Sequence, residues 1–175
     1  MAFPKYTECL QLLVNFLVPP NVINHLIYTA QNAMKISLVL KEKNHVIDCE
    51  LVLSGAMLHD IGRCRSHHID HGILGAQLLR QQKFPEQLAK IAENHLFGGI
   101  TKQEAIELGL PQKDFMPRTL EEKIITYADN ISKGERILST NEVIERYSKY
   151  LKRSHPIMLR VRTLHCEIEM LLDKK

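Results

Sequence analysis

The feature that most constrains how this chain can fold is the recurrence of apolar residues at helical spacing. From Pro20 onward, Val22, Leu26, Ala33, Ile36 and Leu40 follow one another at intervals of three, four and seven. That spacing puts them on one face of a long helix. Pro20 suits its first turn, where the missing N–H would have had no partner. A shorter helix is expected before it, over about 5–17, and a third over about 48–61, stopping at Gly62 as its C-terminal cap. Two more are expected over about 71–82 and 85–96. Three later helix starts pair a hydroxyl with a glutamate three residues on: Thr101 with Glu104, Thr119 with Glu122, and Ser139 with Glu142. In each, the two side chains can satisfy otherwise unpaired backbone N–H groups reciprocally. Gly109 and Pro111 end the first of these helices, and Pro156 separates the last two. Alternating β-branched runs between turn signals are missing, so no sheet is expected. Without a repeat, a low-complexity segment or a linker, residues 1–175 read as one all-α domain, a helical bundle. Its core spans about 20–137, and its C-terminal helices about 140–173.

Composition narrows the class. A chain of 175 residues with 45% hydrophobic and 25% charged residues has the balance of a soluble globular protein. The net charge of +3 is mild and no block of like charge occurs, which argues against a nucleic-acid duplex or a membrane surface as partner. Cys9, Cys49, Cys64 and Cys166 are widely separated and form no CxxC pair, which fits reduced thiols in a cytoplasmic protein rather than a disulfide scaffold. Lys5, Glu8, Gln11 and Asn15 interrupt the apolar N-terminal run, so it does not read as a signal peptide. No uncharged apolar stretch reaches the ~20 residues that span a bilayer.

Against this background the histidines stand out, nine in all. His25, the pair His59–Asp60, His71, His95 and Asp129 each fall in or beside an expected helix, among apolar residues. Imidazole and carboxylate together suit borderline divalent metals such as Fe, Mn, Co, Ni or Zn. His59 and Asp60 close the apolar run Ala56-Met57-Leu58, at a helix end whose free carbonyls carry partial negative charge. An ionised aspartate is disfavoured there unless a cation offsets it. Asp129 borders the apolar stripe of Ile124, Ala128 and Ile131, where a carboxylate is costly unless paired or metal-bound. Taken singly, each of these residues also fits an ordinary core or surface role, so the pattern alone leaves both readings open.

The order His25, His59–Asp60, Asp129 resembles the HD-domain superfamily of metal-dependent phosphohydrolases. The likeness is carried by Asn24-His25-Leu26, by Leu58-His59-Asp60-Ile61-Gly62-Arg63 and by the stretch from Glu122 to Asp129. His59-Asp60-Ile61-Gly62 matches the HDIG signature of one large branch. His71-Gly72-Ile73-Leu74-Gly75-Ala76 and Glu93-Asn94-His95 look like the extra ligands of its small single-domain members. Those members include symmetrical diadenosine-tetraphosphate hydrolases and small archaeal HDIG proteins. The resemblance runs from about Val22 to Arg136 and implies an HD-type bundle holding two divalent ions, iron or manganese foremost. It further implies that His25, His59, Asp60 and Asp129 hold the first ion with Asp60 bridging, and that His71 and His95 complete the second. A metal-bridged hydroxide would then attack a phosphate ester or anhydride, that of a nucleotide foremost.

Around this set, Arg63 stands where many relatives have lysine and is a catalytic candidate, able to stabilise a phosphate oxygen. Arg65, His67 and His68 could grip a polyphosphate, and His67 or His68 could replace His71 as a ligand. Lys133 and Arg136, one and two turns past Asp129, are weaker phosphate candidates. The stretch Ile100 to Pro117 departs from the diadenosine-tetraphosphate group and is either a lid, a pocket wall or a plain connecting helix. His45, His155 and His165 fall outside the pattern and are expected at the surface. Val143, Ile144, Tyr147 and Leu151 suit either a cover over the site or a homodimer surface. Two other functions share the ligand set: a di-iron oxygenase of the same fold, and a non-catalytic sensor, disfavoured because all six ligand positions are occupied.

Overall fold

The computed structural model describes residues 2–173, so the two ends of the expected domain, residue 1 and residues 174 and 175, lie outside it. Helix α1 (Tyr6–Asn15) leads to the long α2 (Pro20–Glu42), then α3 (Cys49–Leu58) and a 3-10 turn (Ile61–Cys64). Next come α4 (His71–Gln81), α5 (Glu86–Asn94), the short α6 (Lys102–Glu107) and α7 (Leu120–Ile131). A two-residue hairpin, β1 (Ser132–Lys133) and β2 (Arg136–Ile137), precedes α8 (Thr140–Tyr147) and α9 (Pro156–Asp173). Among the described residues the regular structure is helical apart from this hairpin, in which Ser132 pairs with Ile137 and Lys133 with Arg136, and two isolated bridges, Phe97 with Gly99 and Ile100 with Phe115.

Periodicity accounts for the architecture. Val22, Leu26, Ala33, Ile36 and Leu40, the expected face of α2, are all buried, with Ala30 completing the stripe. That face packs on α3 and α7, and α3 in turn packs on α1, α5 and α7. Leu51, Val52, Ala56, Met57 and Leu58 are buried around α3, so this helix is enclosed on nearly every side, as its apolar sequence requires. Burying one such side chain stabilises the fold by about 1.5–3 kcal/mol. The ends of α3, α5 and α7 are thereby fixed relative to one another, and those ends carry the site.

Three local expectations are corrected. Helix α3 ends at Leu58, not Ile61, and Gly62 sits buried in the 3-10 turn rather than at a cap. A Cβ on Gly62 would lie 2.0 Å from the His71 carbonyl oxygen, so glycine is there for close approach of the turn to α4. Gly72 plays the same part between α4 and α5, where a Cβ would meet the Ala92 carbonyl at 2.6 Å. Thr119 accepts from the Glu122 amide as expected, but the Glu122 carboxylate turns to the Arg118 amide at 2.8 Å, so only half of that box forms. The boxes at Thr101 and Ser139 are complete. Finally, α7 stops at Ile131, so Lys133 and Arg136 are hairpin residues and not later turns of the helix.

Candidate metal centre

Six side chains from five helices converge. His25 lies on α2, one turn past its start; His59 caps the C-terminus of α3 and Asp60 follows it; His71 opens α4; His95 caps α5; Asp129 sits in the last turn of α7. All but His59 line an open cavity of about 790 Å³. His59 is fully buried, its ring centroid 5.7 Å from that of His25 and 4.8 Å from that of His95. His25 Nε2 lies 2.8 Å from Asp129 Oδ1 and His59 Nε2 lies 3.6 Å from the same oxygen. On the other side, His71 Nε2 and His95 Nε2 stand 2.9 and 3.4 Å from Asp60 Oδ1, and 3.3 Å from each other.

One device orients three of these rings. Nδ1 of His59 meets the Ala56 carbonyl at 2.8 Å, Nδ1 of His95 meets Ala92 at 2.9 Å, and Nδ1 of His71 meets His68 at 2.6 Å. A carbonyl oxygen only accepts, so each Nδ1 carries a proton, which leaves Nε2 as the nitrogen turned to the centre and open to a metal ion. For His59 and His95 the accepting carbonyls belong to the last helical turn, where no backbone amide remains to bind them. A metal-ligating histidine is held in this way, its second nitrogen fixed by a backbone carbonyl.

The result is a cluster of electron pairs facing one another. Among the described residues, buried His59 Nε2 and Asp60 Oδ1 have no hydrogen-bond partner. Ligand atoms bound at about 2.1 Å to one cation sit roughly 3 Å apart at right angles, the spacing seen here. Two overlapping groups, His25–His59–Asp129 and His59–Asp60–His95, have their ligand atoms within 4.8 Å of one another and could each hold an ion. Burial opposes charge on Asp60, but His71 and His95 outweigh it and hold its carboxyl well below the ordinary range. Burial is likewise overcome at Asp129 by His25 and His59. At His59 burial works against the proton, yet Asp129 and Asp60 raise its pKa, whereas at His95 burial prevails and the pKa is lowered. Two ionised carboxylates and convergent imidazole lone pairs fit divalent cations of the borderline class.

The other candidates divide. Arg63 lines the cavity, but its Nε donates to Asp60 Oδ2 at 3.1 Å and its Nη1 to the His67 carbonyl at 2.9 Å, so it braces the aspartate and the following loop. Asp60 therefore offers one open oxygen, Oδ1. His67, His68 and Lys133 line the cavity, whereas Arg65 and Arg136 are exposed and do not, Arg136 pairing with Glu142. His71 and not His67 or His68 faces Asp60. No residue of 100–117 lines the cavity. That stretch packs through buried Ile100, Ala105, Leu110 and Phe115, and Arg160 ties it to α9 by binding the Gly99 carbonyl and Glu104. His165 is not at the surface but fully buried, its ring 4.7 Å from that of Tyr127.

Of the two roles left open for the C-terminal helices, the cover over the site is partly met by Tyr147, while the sequence does not single out Phe97, Arg146 or Tyr150. Phe97, Arg146, Tyr147 and Tyr150 also line the cavity, the last three from α8 and the turn after it. Tyr147 continues the apolar stripe Val143, Ile144 and Leu151, which the sequence leaves as either a cover or a homodimer surface.

Comparison with known proteins agrees with this fold. The family model for the HD domain matches residues 22–134. An uncharacterized protein of Methanocaldococcus jannaschii is 45% identical over 96% of this chain and 99% of its own length. A tRNA (cytidine(56)-2'-O)-methyltransferase of Picrophilus torridus is 35% identical over 98% of this chain, which spans only 48% of that protein. Among solved structures, the HD domain of the L. monocytogenes phosphodiesterase PgpH superposes with a TM-score of 0.56 at 19% identity, covering 93% of both chains.

Proposed function

The chain belongs to the HD-domain family, and on that premise we propose that it is a metal-dependent phosphohydrolase acting on a phosphate ester or anhydride of a nucleotide. The observation that carries the reading is the convergence of fixed Nε2 atoms on a buried carboxylate oxygen, Asp60 Oδ1, that among the described residues accepts no hydrogen bond. His25, His59, Asp60, His71, His95 and Asp129 would hold two divalent ions, iron or manganese ahead of zinc, cobalt or nickel. Bound there, such cations lower the pKa of water and neutralise charge developing on a phosphoryl group.

The chain's own groups do the rest. Backbone carbonyls of Ala56, His68 and Ala92 fix the ring tautomers, and Arg63 fixes Asp60. The core over about 20–137 holds the ligands. Of the C-terminal helices over about 140–173, α8 and the turn after it add to the cavity wall while α9 packs on α7 and α8, so we treat the chain as one functional unit. Phe97, Tyr147 and Tyr150 give the cavity an aromatic side, with Tyr150 the exposed ring that a nucleobase would meet. The PgpH domain, which shares the fold, has been crystallised in complex with Cyclic-di-AMP. A cytoplasmic setting suits the four free thiols, and among the described residues no helix is long and apolar enough to cross a membrane.

The test is a nucleotide panel assayed with protein purified and loaded with metal under anaerobic conditions. The reading expects release of phosphate or nucleoside monophosphate that His59→Ala abolishes. Release that survives His59→Ala contradicts it, and dioxygen uptake by the iron form without phosphate release replaces it with the oxygenase.

A further inference from the structure

The family match ends at residue 134, but the cavity continues into α8. Its far wall is built from Lys133 and Gly134 of the hairpin and from Arg146, Tyr147 and Tyr150. This wall is bound rigidly to the metal centre through Asn130, the fully buried neighbour of Asp129. Asn130 Nδ2 donates to the Phe97 carbonyl at 2.6 Å, two residues past His95, and its Oδ1 accepts from the Tyr147 hydroxyl at 2.5 Å. Its backbone carbonyl accepts from Arg146 Nη2 at 2.9 Å. Both ligand-bearing segments, the end of α7 and the loop after α5, are thus joined to α8.

The ring environments assign the parts. The Tyr147 and Phe97 rings form a T-shaped pair with centroids 5.0 Å apart, and the Arg146 guanidinium lies 4.9 Å from the Tyr147 ring centre. The Tyr147 hydroxyl is bound to Asn130 and Arg146, so Tyr147 is already engaged within the wall. Tyr150, 81% exposed, offers a ring free to stack. Charge points the same way: Arg63 and Arg136 each have a carboxylate partner, whereas Arg146 and Lys133 have none among the described residues. Two uncompensated cations and an open ring in one wall suit an anion joined to a planar heterocycle.

We propose that the wall formed by α8 and the hairpin is a second subsite, separate from the metal centre, that binds the nucleotide unit beyond the scissile bond. Lys133 and Arg146 hold that unit's phosphate, and Tyr150 stacks on its base. The inference rests on the phosphohydrolase reading and narrows it to substrates with two nucleoside units, a phosphodiester or an anhydride, over mononucleotides. The residues that choose the substrate then lie largely outside the segment that defines the family.

Two measurements on the full chain test this. The first is calorimetric titration of the metal-free protein with AMP, which reads the wall without the metal centre. Tyr150→Ala and Lys133→Ala, both at exposed positions where the fold should tolerate them, are expected to weaken AMP about tenfold each. The second compares kcat/KM for the dinucleotide pApA with that for bis(p-nitrophenyl) phosphate, whose small rings do not extend to the wall. Either variant is expected to lower that ratio at least tenfold, through KM. Unchanged AMP affinity, or equal loss on both substrates, overturns the subsite. If AMP binding depends on Tyr150 and Lys133 but the metal-loaded protein cleaves neither substrate, the phosphohydrolase reading fails and the subsite stands. If both substrates are cleaved and the variants behave as wild type, the subsite fails alone.

Discussion

His59 and His165 are alike in most of what a structure records. Each is fully buried on a helix end or face, and each has Nδ1 committed to a local oxygen, that of Ala56 for His59 and that of Thr140 for His165. In both, Nε2 has no hydrogen-bond partner among the described residues. They differ in what surrounds them. His59 is flanked by Asp60 and Asp129, which raise its pKa against the pull of burial. His165 meets the Tyr127 ring, and burial, aided by Arg146, pushes its pKa down to about 4. The Thr140 hydroxyl beside it gives its proton to Glu169 at 2.8 Å, so it can only accept from His165, which stays neutral. A buried imidazole with a spare lone pair is thus an ordinary core residue until ionised carboxylates converge on it.

That contrast can be broken by substitution. The largest effect is expected for His59→Ala, which should cost more than the roughly 10–100-fold that loss of an outer metal-site partner costs. His165→Gln should leave the same phosphate-release assay near wild type.

The second test is pH. An unfolded chain protonates His165 near its ordinary 6.5, while the folded protein resists until about 4. The unfolded state therefore binds more protons in that window, and stability falls as pH drops through it, by about 3 kcal/mol in all. Urea unfolding of metal-free protein at several pH values checks this, and His165→Gln should flatten the profile between those limits. A wild-type and variant profile that coincide would show His165 to be more accessible than the fold implies.

A smaller effect sharpens the other side. Arg63→Ala frees Asp60 Oδ2 and should lower metal affinity about 10–100-fold, read by competition with a chelating dye. Smallest of all, Thr119→Ala removes the remaining half of its helix cap and should cost about 1 kcal/mol of stability by urea unfolding, with no change in metal affinity.

How much of this was legible in the sequence follows from how local each cause is. The face of α2 and the starts of α6, α7 and α8 depend on spacing within a few residues, and those expectations agree with the structure. The six His and Asp positions were visible through local motifs, although only the fold brings His25 and Asp129, 104 residues apart, to 2.8 Å. Buried His165 did leave a signal, because Val161, Leu164 and Ile168 put it on an apolar helical face. The pattern of metal-site histidines drew attention away from it. Gly134, with positive φ, marked the end of α7 and the turn that makes Lys133 and Arg136 hairpin residues. The α8 stripe was legible as either a cover or a homodimer surface, with nothing local to choose between them. The wall it builds depends on Asn130 bonding across the fold to Phe97, Arg146 and Tyr147, and such tertiary bonds have no period.

The central claim, that carboxylates turn this histidine cluster into a metal centre, is tested most directly by metal content. Wild type, His59→Ala and His165→Gln would be loaded anaerobically with iron or manganese, dialysed and analysed for metal per chain. The account predicts about two ions in wild type and in His165→Gln, and loss of metal in His59→Ala. No retained metal in wild type, or equal retention in all three, would contradict it.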